Sequence, residues 1–213
     1  MKFLLFYLSS FFFSFFCTYS ATTPKPTIIF DTTGEPLKVG EKYYVLRKPT
    51  ILNSGAFGGL KLSDYSNQGC ANVLTQASPS ELGIPVSFHP LQGSDIRLSQ
   101  SLNIRFETTK PACASSTVWQ VGKTDPVSQL PLITIGGVLG NPSCANARNG
   151  FRIEKGSIPN TYRLVSFPND ICNVAAINHE VVIVTGSNGQ KVLVRSNSSH
   201  KKYNVVFAKA PPP

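Results

Sequence analysis

Charged side chains are scarce in this chain of 213 residues: Asp, Glu, Lys and Arg together make up 15% of it, and methionine occurs once. The chain is nevertheless not the apolar-poor mixture of a disordered protein, because 41% of its residues are hydrophobic. It also lacks the Ala, Glu, Lys and Leu content of a helical bundle, and no long stretch shows a helical period with caps. These absences exclude helical bundles, coiled coils and disordered tails.

Motifs of catalysis and of cofactor or metal binding are also absent. The sequence has no Gly-x-Ser-x-Gly, His-Glu-x-x-His, Gly-x-x-x-x-Gly-Lys-Ser/Thr or Gly-x-Gly-x-x-Gly. The three histidines are far apart, and no two cysteines form a Cys-x-x-Cys pair, so a zinc site has no support. We therefore expect a protein that is not an enzyme and needs no cofactor or metal. His89, between Phe88 and Pro90, is interpreted as a structural residue.

The net charge is positive, with 20 Lys and Arg against 11 Asp and Glu, which gives +9. The basic side chains are dispersed along the chain, and the cluster that stands out is Lys201-Lys202 beside His200. This distribution indicates a solvated basic surface rather than a nucleic-acid interface.

The N-terminus reads as a secretory signal peptide. Residues 2–16 are one Lys followed by an apolar run interrupted only by serines, and small residues follow at Ser20 and Ala21. The run is too short to cross a bilayer comfortably, which disfavours the alternative of a membrane anchor. We predict a signal peptide over residues 1–20, cleavage after Ser20 or Ala21, and an exported protein of residues 21–213 that does not remain in the membrane.

Export sets the interpretation of the cysteines. Cys17 leaves with the signal peptide, and the other four form an even set in an oxidising compartment, which predicts two disulfides with three pairings open. Export also makes Asn197, followed by Ser198-Ser199, a candidate N-glycosylation site.

Short β-rich runs recur along the exported chain. In Leu102–Phe106 the apolar residues alternate with Asn103 and Arg105, which puts one face in a core and the other in water. The eleven runs are 42–46, 73–75, 95–98, 102–106, 118–121, 132–135, 150–154, 162–165, 180–184, 191–194 and 203–207. Asn188-Gly189 predicts a hairpin, because both residues tolerate positive φ. About twelve strands at this spacing predict one all-β domain, either a closed barrel or a sandwich.

The segment from residue 29 to residue 45 resembles the N-terminal signature of the plant Kunitz-type (soybean trypsin inhibitor) family. The signature combines an aliphatic residue with Asp, Gly, Leu, Tyr and a second aliphatic residue at fixed spacing, and here these positions are Ile29, Asp31, Gly34, Leu37, Tyr43 and Val45. The resemblance continues through Gly58-Gly59, residues 73–76, 85–90, 102–106, 117–119, 150–155 and 162–165, and the closing 203–207. It covers residues 27–208 and leaves residues 209–213 as a proline-rich tail.

The resemblance implies a β-trefoil: three four-stranded units that close a six-stranded barrel capped by three hairpins. It places Trp119 in the core and pairs Cys70 with Cys113. The second disulfide departs from the family, because Phe167-Pro168 stands where the family has Cys-Pro. Cys144 and Cys172 remain, on either side of a predicted hairpin, and we predict that they pair.

The resemblance also implies a function, since inhibitors of this family insert an exposed, rigid loop between the fourth and fifth strands into a protease. We assign this loop to residues 77–88, with Phe88 already in a strand. Counting back from Phe88 puts the bond-defining residue at Pro85, where trypsin inhibitors carry Arg or Lys. The predicted protease-contacting residues are Leu82, Gly83, Ile84, Pro85, Val86 and Ser87. The loop-supporting Asn of the family is replaced by Val39.

These features predict a monomeric, secreted protease inhibitor, located in the apoplast or a vacuole, that does not inhibit trypsin strongly. Leu82 offers a residue for a chymotrypsin-like pocket, and the class of the partner protease stays open. Two alternatives remain: a miraculin-like, non-inhibitory binding protein, and a storage or defence protein on the same scaffold.

Overall fold

The computed structural model describes residues 27–48, 58–166, 172, 179–197, 200 and 202–212. The predicted signal peptide, Phe167-Pro168 and the two serines of the glycosylation motif lie outside these residues. No helix within the described ranges is long and apolar enough to cross a membrane.

Twelve strands form the fold, and the one helical segment assigned among the described residues is a 3-10 helix over Cys144–Asn149. The strands are β1 (Tyr43–Arg47), β2 (Leu60–Ser63), β3 (Val73–Gln76), β4 (Val86–Pro90), β5 (Leu102–Phe106), β6 (Trp119–Thr124), β7 (Pro131–Ile135), β8 (Phe151–Lys155), β9 (Tyr162–Ser166), β10 (His179–Thr185), β11 (Lys191–Ser196) and β12 (Val205–Lys209).

Six of these strands close a barrel. Around the barrel the strand order is β1, β4, β5, β8, β9 and β12, and each strand pairs antiparallel with the next. Strand β12 closes the ring by pairing with β1 over five residue pairs. The other six strands are the hairpins β2–β3, β6–β7 and β10–β11, which pair with one another through β3, β7 and β11. Each four-strand unit supplies two barrel strands and one hairpin. This arrangement is the β-trefoil that the resemblance implies.

Large apolar side chains from all three units fill the barrel. Trp119 is fully buried, with its ring centroid 5.2 Å from that of Phe106 and 6.1 Å from that of Phe151. Phe88 and Phe207 pack edge to face at 5.2 Å. The prediction that Trp119 belongs to the core is confirmed.

Both predicted disulfides are present. Cys70 and Cys113 are bonded across a Cα separation of 5.8 Å and join the β2–β3 and β5–β6 connections. Cys144 and Cys172 are bonded across 5.1 Å and join the segments before β8 and after β9. Both separations lie within the range that an unstrained backbone allows.

Several sequence-based predictions need correction. The run 95–98 is not a strand: Arg97 makes one isolated bridge to Ile28, and Ile96 is buried as an anchor. Strand β2 lies outside every predicted run. The hairpin predicted at Asn188-Gly189 is confirmed as β10–β11, but within its five-residue connection Gly189 has positive φ and Asn188 does not. Strand β12 runs through Lys209, so the barrel extends one residue into the predicted tail.

Candidate functional site

The signature segment forms a tight turn in front of β1. The carboxylate of Asp31 accepts hydrogen bonds from the Thr33 backbone and hydroxyl (2.8 and 2.6 Å) and from the Glu35 backbone at 3.1 Å. Burial alone would raise the pKa of Asp31, but these hydrogen bonds lower it. Gly34 has φ of +89° at the bend, a conformation that side chains disfavour.

The turn positions the residues that follow it. Leu37 is buried, and the hydroxyl of Tyr43 accepts a hydrogen bond of 2.9 Å from the Lys38 backbone. Val39, the next residue, is 46% exposed. The signature residues therefore fix where the side chain of Val39 sits on the surface.

Residues 77–85 belong to the segment 77–88 that was assigned above as the reactive loop, and they connect β3 and β4 and lie against β2. Its backbone is bonded to β2 and to the residue before it: the Gly59 N–H donates to Glu81, and the Ile84 N–H donates to Leu60 at 2.7 Å. A Cβ on Gly59 would lie 1.9 Å from the Leu82 carbonyl oxygen, and one on Gly83 would lie 2.2 Å from that of Leu60. Only glycine permits this close approach. The segment is therefore held against β2 by backbone packing and hydrogen bonds.

The structure divides the six predicted contact residues into three groups. Leu82 is 49% exposed, as expected for a contact residue. Gly83, Ile84 and Pro85 are half-buried. Val86 and Ser87 are buried in β4, where they pair with Phe106 and Arg105, so the prediction that they belong to an exposed loop is wrong.

A second loop, residues 91–101, connects β4 and β5, and we call it the β4–β5 loop. Its exposed tip is Gln92-Gly93-Ser94-Asp95. Its base is anchored, because Ile96 is buried and the backbones of Leu98 and Ser99 donate to Thr27 and Ile153. The hydroxyl of Ser99 also donates to Glu154 at 2.7 Å.

One side chain bridges the β4–β5 loop internally. The Gln100 amide donates to the Gln92 carbonyl at the start of the tip, and its oxygen accepts from the Arg97 backbone at 3.1 Å. Arg97 in turn donates to the Asp95 carboxylate at 2.7 Å. These bonds tie both ends of the tip together.

Val39 lies beside the β4–β5 loop rather than beside residues 77–85. A surface cavity of about 540 Å³ is lined by signature residues 36–39 and by loop residues 94–97. The position that supports the reactive loop in the family therefore faces the loop that joins the structure's own fourth and fifth strands. The tip of that loop carries no Lys or Arg.

The side chain of Ser87 contacts His89 and Glu107, a combination that resembles a catalytic arrangement. Its hydroxyl donates to Glu107 at 2.6 Å, so the contact of 2.7 Å with His89 leaves the histidine as donor. Burial and the nearby Arg105 lower the pKa of His89. A buried serine that donates to a carboxylate is not an activated nucleophile, and the cluster fits the structural role predicted for His89.

Asn197, the predicted glycosylation site, is exposed directly after β11, and its amide oxygen lies 2.9 Å from Nδ1 of His179. Among the residues that the structure describes, no three His, Cys, Asp or Glu side chains cluster as a metal site would require.

Three comparisons place the chain among known proteins. Residues 29–209 match the Kunitz legume family, described as trypsin and protease inhibitor. Miraculin from Synsepalum dulcificum is 30% identical over 186 residues, covering 84% of this chain and 82% of that protein. Kunitz type trypsin inhibitor 104 from Medicago truncatula is 30% identical over 177 residues, covering 81% and 84%. The solved structure of the Kunitz-type cysteine protease inhibitor PCPI-3 from potato aligns with a TM-score of 0.72 at 26% identity, covering 89% of this chain and all 100% of the other. The chain belongs to the Kunitz legume family of trypsin and protease inhibitors.

Proposed function

We propose that this protein is a secreted protease inhibitor that presents the β4–β5 loop to a protease other than trypsin. Members of the Kunitz family are inhibitors or non-enzymatic binding proteins rather than catalysts. The observation that carries the proposal is the β4–β5 loop itself, which combines an exposed tip with an anchored and internally bridged base.

Rigidity matters because an inhibitor loop must bind in the manner of a substrate without being cleaved. A tip that is already ordered loses little conformational entropy on binding, so a short contact surface can bind tightly. The hydrogen bonds of Gln100 and the anchors at Ile96 and Ser99 supply that order.

The tip argues against trypsin as the target. A trypsin-like pocket ends in a carboxylate, and Gln92, Gly93, Ser94 and Asp95 offer it no cation. Arg97 lies at the base, where its guanidinium is paired with Asp95 and its backbone bridges to Ile28. The missing charge-assisted hydrogen bond is worth about 1.5–3 kcal/mol.

A non-inhibitory binding protein on the same scaffold is the second candidate. Two observations favour it: the supporting position is the apolar Val39 rather than an amide, and the tip side chains are small or polar. The β3–β4 segment, with Leu82 exposed, is the alternative contact surface for either function.

The test is a titration of the exported protein against trypsin, chymotrypsin, subtilisin, papain and an aspartic protease. Papain belongs in the panel because the potato relative is described as a cysteine protease inhibitor. We expect inhibition of a panel member other than trypsin. Strong inhibition of trypsin would overturn the proposed target. If none of the five proteases is inhibited, the result would favour the non-inhibitory binding protein.

Export and glycosylation are proposals of their own. We propose that residues 1–20 are removed on secretion and that Asn197 carries a glycan. Mass spectrometry of the protein secreted from plant cells should give an N-terminus near Ala21 and a glycan mass that disappears in Asn197→Gln. An intact N-terminus would contradict the signal peptide.

A further inference from the structure

A second feature of the molecule lies away from the β4–β5 loop: a cavity of about 200 Å³ between the barrel and the hairpins. We call it the cationic cavity. It is formed where β1 and β3 end, β11 begins and the chain enters β12. Its lining residues are Arg47, Gln76, Ile183, Lys191, Lys202 and Tyr203.

The charges of the cationic cavity are all of one sign. Arg47, Lys191 and Lys202 line it, and no carboxylate is among its lining residues as the structure describes them. Lys191 donates to the neutral hydroxyl of Thr185 at 2.7 Å. Five cations elsewhere in the described chain pair with carboxylates, namely Lys61, Arg97, Arg105, Arg163 and Lys209. Three like charges around one small space repel one another unless an anion neutralises them.

Tyr203 supplies an independent observation. It is 5% exposed, and its hydroxyl has no hydrogen-bond partner within the described part of the chain. Burial raises the pKa of this hydroxyl, although the nearby Arg47 opposes the shift, so the group stays a hydrogen-bond donor at neutral pH. A buried donor without an acceptor is costly. Tyr203 is one of the residues that line the cavity, so a ligand oxygen that reaches this hydroxyl would satisfy it.

We propose that the cationic cavity binds one tetrahedral oxyanion group, a phosphate or a sulfate. Arg47, Lys191 and Lys202 would neutralise the anion, and the Tyr203 hydroxyl and Gln76 amide would donate hydrogen bonds to its oxygens. Such charge-assisted bonds are the strong ones in proteins. The volume suits one such group and excludes a polymer lying along the cavity.

The cationic cavity is separate from the β4–β5 loop. Strands β1 and β4 are antiparallel and meet at Tyr43 and Val86, the first residue of each. They therefore run in opposite directions from that point, to Arg47 and to the β4–β5 loop respectively. Binding in the cavity is independent of the proposed inhibition, and either proposal can fail without the other.

The test measures binding by calorimetry and by thermal unfolding, using inorganic phosphate, inorganic sulfate and glucose 6-phosphate, with chloride at equal ionic strength as reference. We expect saturable binding of the oxyanions but not of chloride. Arg47→Gln should weaken the affinity at least tenfold and Tyr203→Phe about threefold. The control Lys123→Gln, which removes an exposed cation from β6, should leave it unchanged.

The outcomes separate the sources of the anion. Binding of the inorganic ions alone assigns the site to a free ion, and equal binding of glucose 6-phosphate assigns it to a phosphoryl group on a small molecule. If the Arg47→Gln variant does not fold, Lys191→Gln is measured instead, because Lys191 is exposed. Absence of saturable binding, unchanged affinity in Tyr203→Phe, or an equal loss in Lys123→Gln would overturn the proposal.

Discussion

Gln100 is the residue on which the behaviour of the β4–β5 loop depends most. Its side chain bonds both to Gln92 at the start of the tip and to Arg97 at its end. We predict that Gln100→Ala leaves the loop exposed but flexible, so that a protease cleaves the tip at least fivefold faster. The measurement is the rate of limited proteolysis by subtilisin, with the cut site identified by mass spectrometry.

The matched control is Gln129→Ala. Gln129 makes a comparable side-chain bond, to Pro126, in the exposed β6–β7 turn. It should not change cleavage at the tip. Gln129→Ala, which removes one hydrogen bond, should lower the free energy of unfolding by about 1 kcal/mol, and Gln100→Ala, which removes two, by about 1–2 kcal/mol. Equal cleavage rates in wild type and Gln100→Ala would contradict the bridging role.

Ser94 offers a gain-of-function prediction at the same scale. An arginine at this exposed tip position would reach the carboxylate of a trypsin-like pocket. We expect Ser94→Arg to bind trypsin about tenfold to hundredfold more tightly than wild type, the equivalent of about 1.5–3 kcal/mol. An inhibition assay with trypsin measures this change.

Val127→Arg is the control for Ser94→Arg. Val127 is 66% exposed in the β6–β7 turn, far along the chain from the β4–β5 loop. The same charge there should leave trypsin binding as in wild type. If both variants bind trypsin equally well, net charge rather than the loop accounts for the gain.

At the scale of elements, Asp125 holds three connections together. Its buried carboxylate accepts hydrogen bonds from the Tyr65 hydroxyl in the β2–β3 connection and from the Ser128 and Ser187 backbones in the β6–β7 and β10–β11 connections. Burial would raise the pKa of Asp125, but the hydrogen bonds from Tyr65, Ser128 and Ser187 outweigh it and lower it far below its ordinary value.

This lowered pKa makes stability depend on pH. A depressed folded-state pKa stabilises the protein above the unfolded value of about 4, and this stabilisation is lost as the pH falls. We expect Asp125→Asn to lower the free energy of unfolding by about 2 kcal/mol at pH 7. This difference from wild type should shrink between pH 4 and pH 2. Denaturant unfolding at each pH measures it, and Glu35→Gln, at an exposed position, reports the effect of removing one charge elsewhere. A difference that stays constant to pH 2 would contradict this role.

The disulfides make a second prediction at this scale. Cys70 and Cys113 are 43 positions apart, and Cys144 and Cys172 are 28 apart. In the chain-entropy model, loops of these lengths correspond to about 4 and about 3.5 kcal/mol. We expect the double substitutions C70S/C113S and C144S/C172S to lower the free energy of unfolding by these amounts in guanidinium titrations. Losses below about 1 kcal/mol would indicate that the loops are already constrained.

The elements also mark how far sequence reasoning reaches. The strand Leu102–Phe106 was predictable from its alternating apolar residues, but the prediction that its other face lies in water is wrong at Asn103. The Asn103 side chain is buried because its amide donates to the Asn149 carbonyl and accepts from the Gly140 backbone. Ile96 and Leu98 show the same alternation without a strand, since they anchor the base of a loop. Strand β2 was missed because it is short and mostly half-buried.

The difference between the exposed loop predicted at residues 77–87 and the attached segment observed there has a physical origin of the same kind. Residues 78–82 are all exposed, and Ser78, Ser80 and Glu81 among them are polar, a pattern that fits a projecting loop equally well. Their attachment depends on Gly59 and Gly83, whose backbones contact residues distant in sequence. The signature turn and the Cys70–Cys113 pairing were predictable from the family resemblance, whereas this packing of one backbone on another was not.

At the scale of the whole molecule, the trefoil consists of a rigid scaffold and of exposed connections between its strands. The closed barrel, the buried aromatic residues and the two disulfides supply rigidity, and the connections between strands carry the exposed chemistry. The β4–β5 loop is a connection between strands, whereas the cationic cavity is lined mainly by residues at the ends of other strands, so the two are built from different parts of the fold. This division of scaffold and loops explains how one fold accommodates different partners.

The central claim is that the β4–β5 loop binds the protease. Inhibition constants against the five-protease panel, measured for wild type, for Q92G/S94G/D95G and for Leu82→Ala, test it most directly. We predict that wild type inhibits a protease other than trypsin, that the triple substitution weakens this inhibition at least tenfold while the protein stays folded, and that Leu82→Ala leaves the inhibition unchanged. Inhibition that survives the triple substitution and disappears in Leu82→Ala would contradict the claim and assign the contact to the β3–β4 segment.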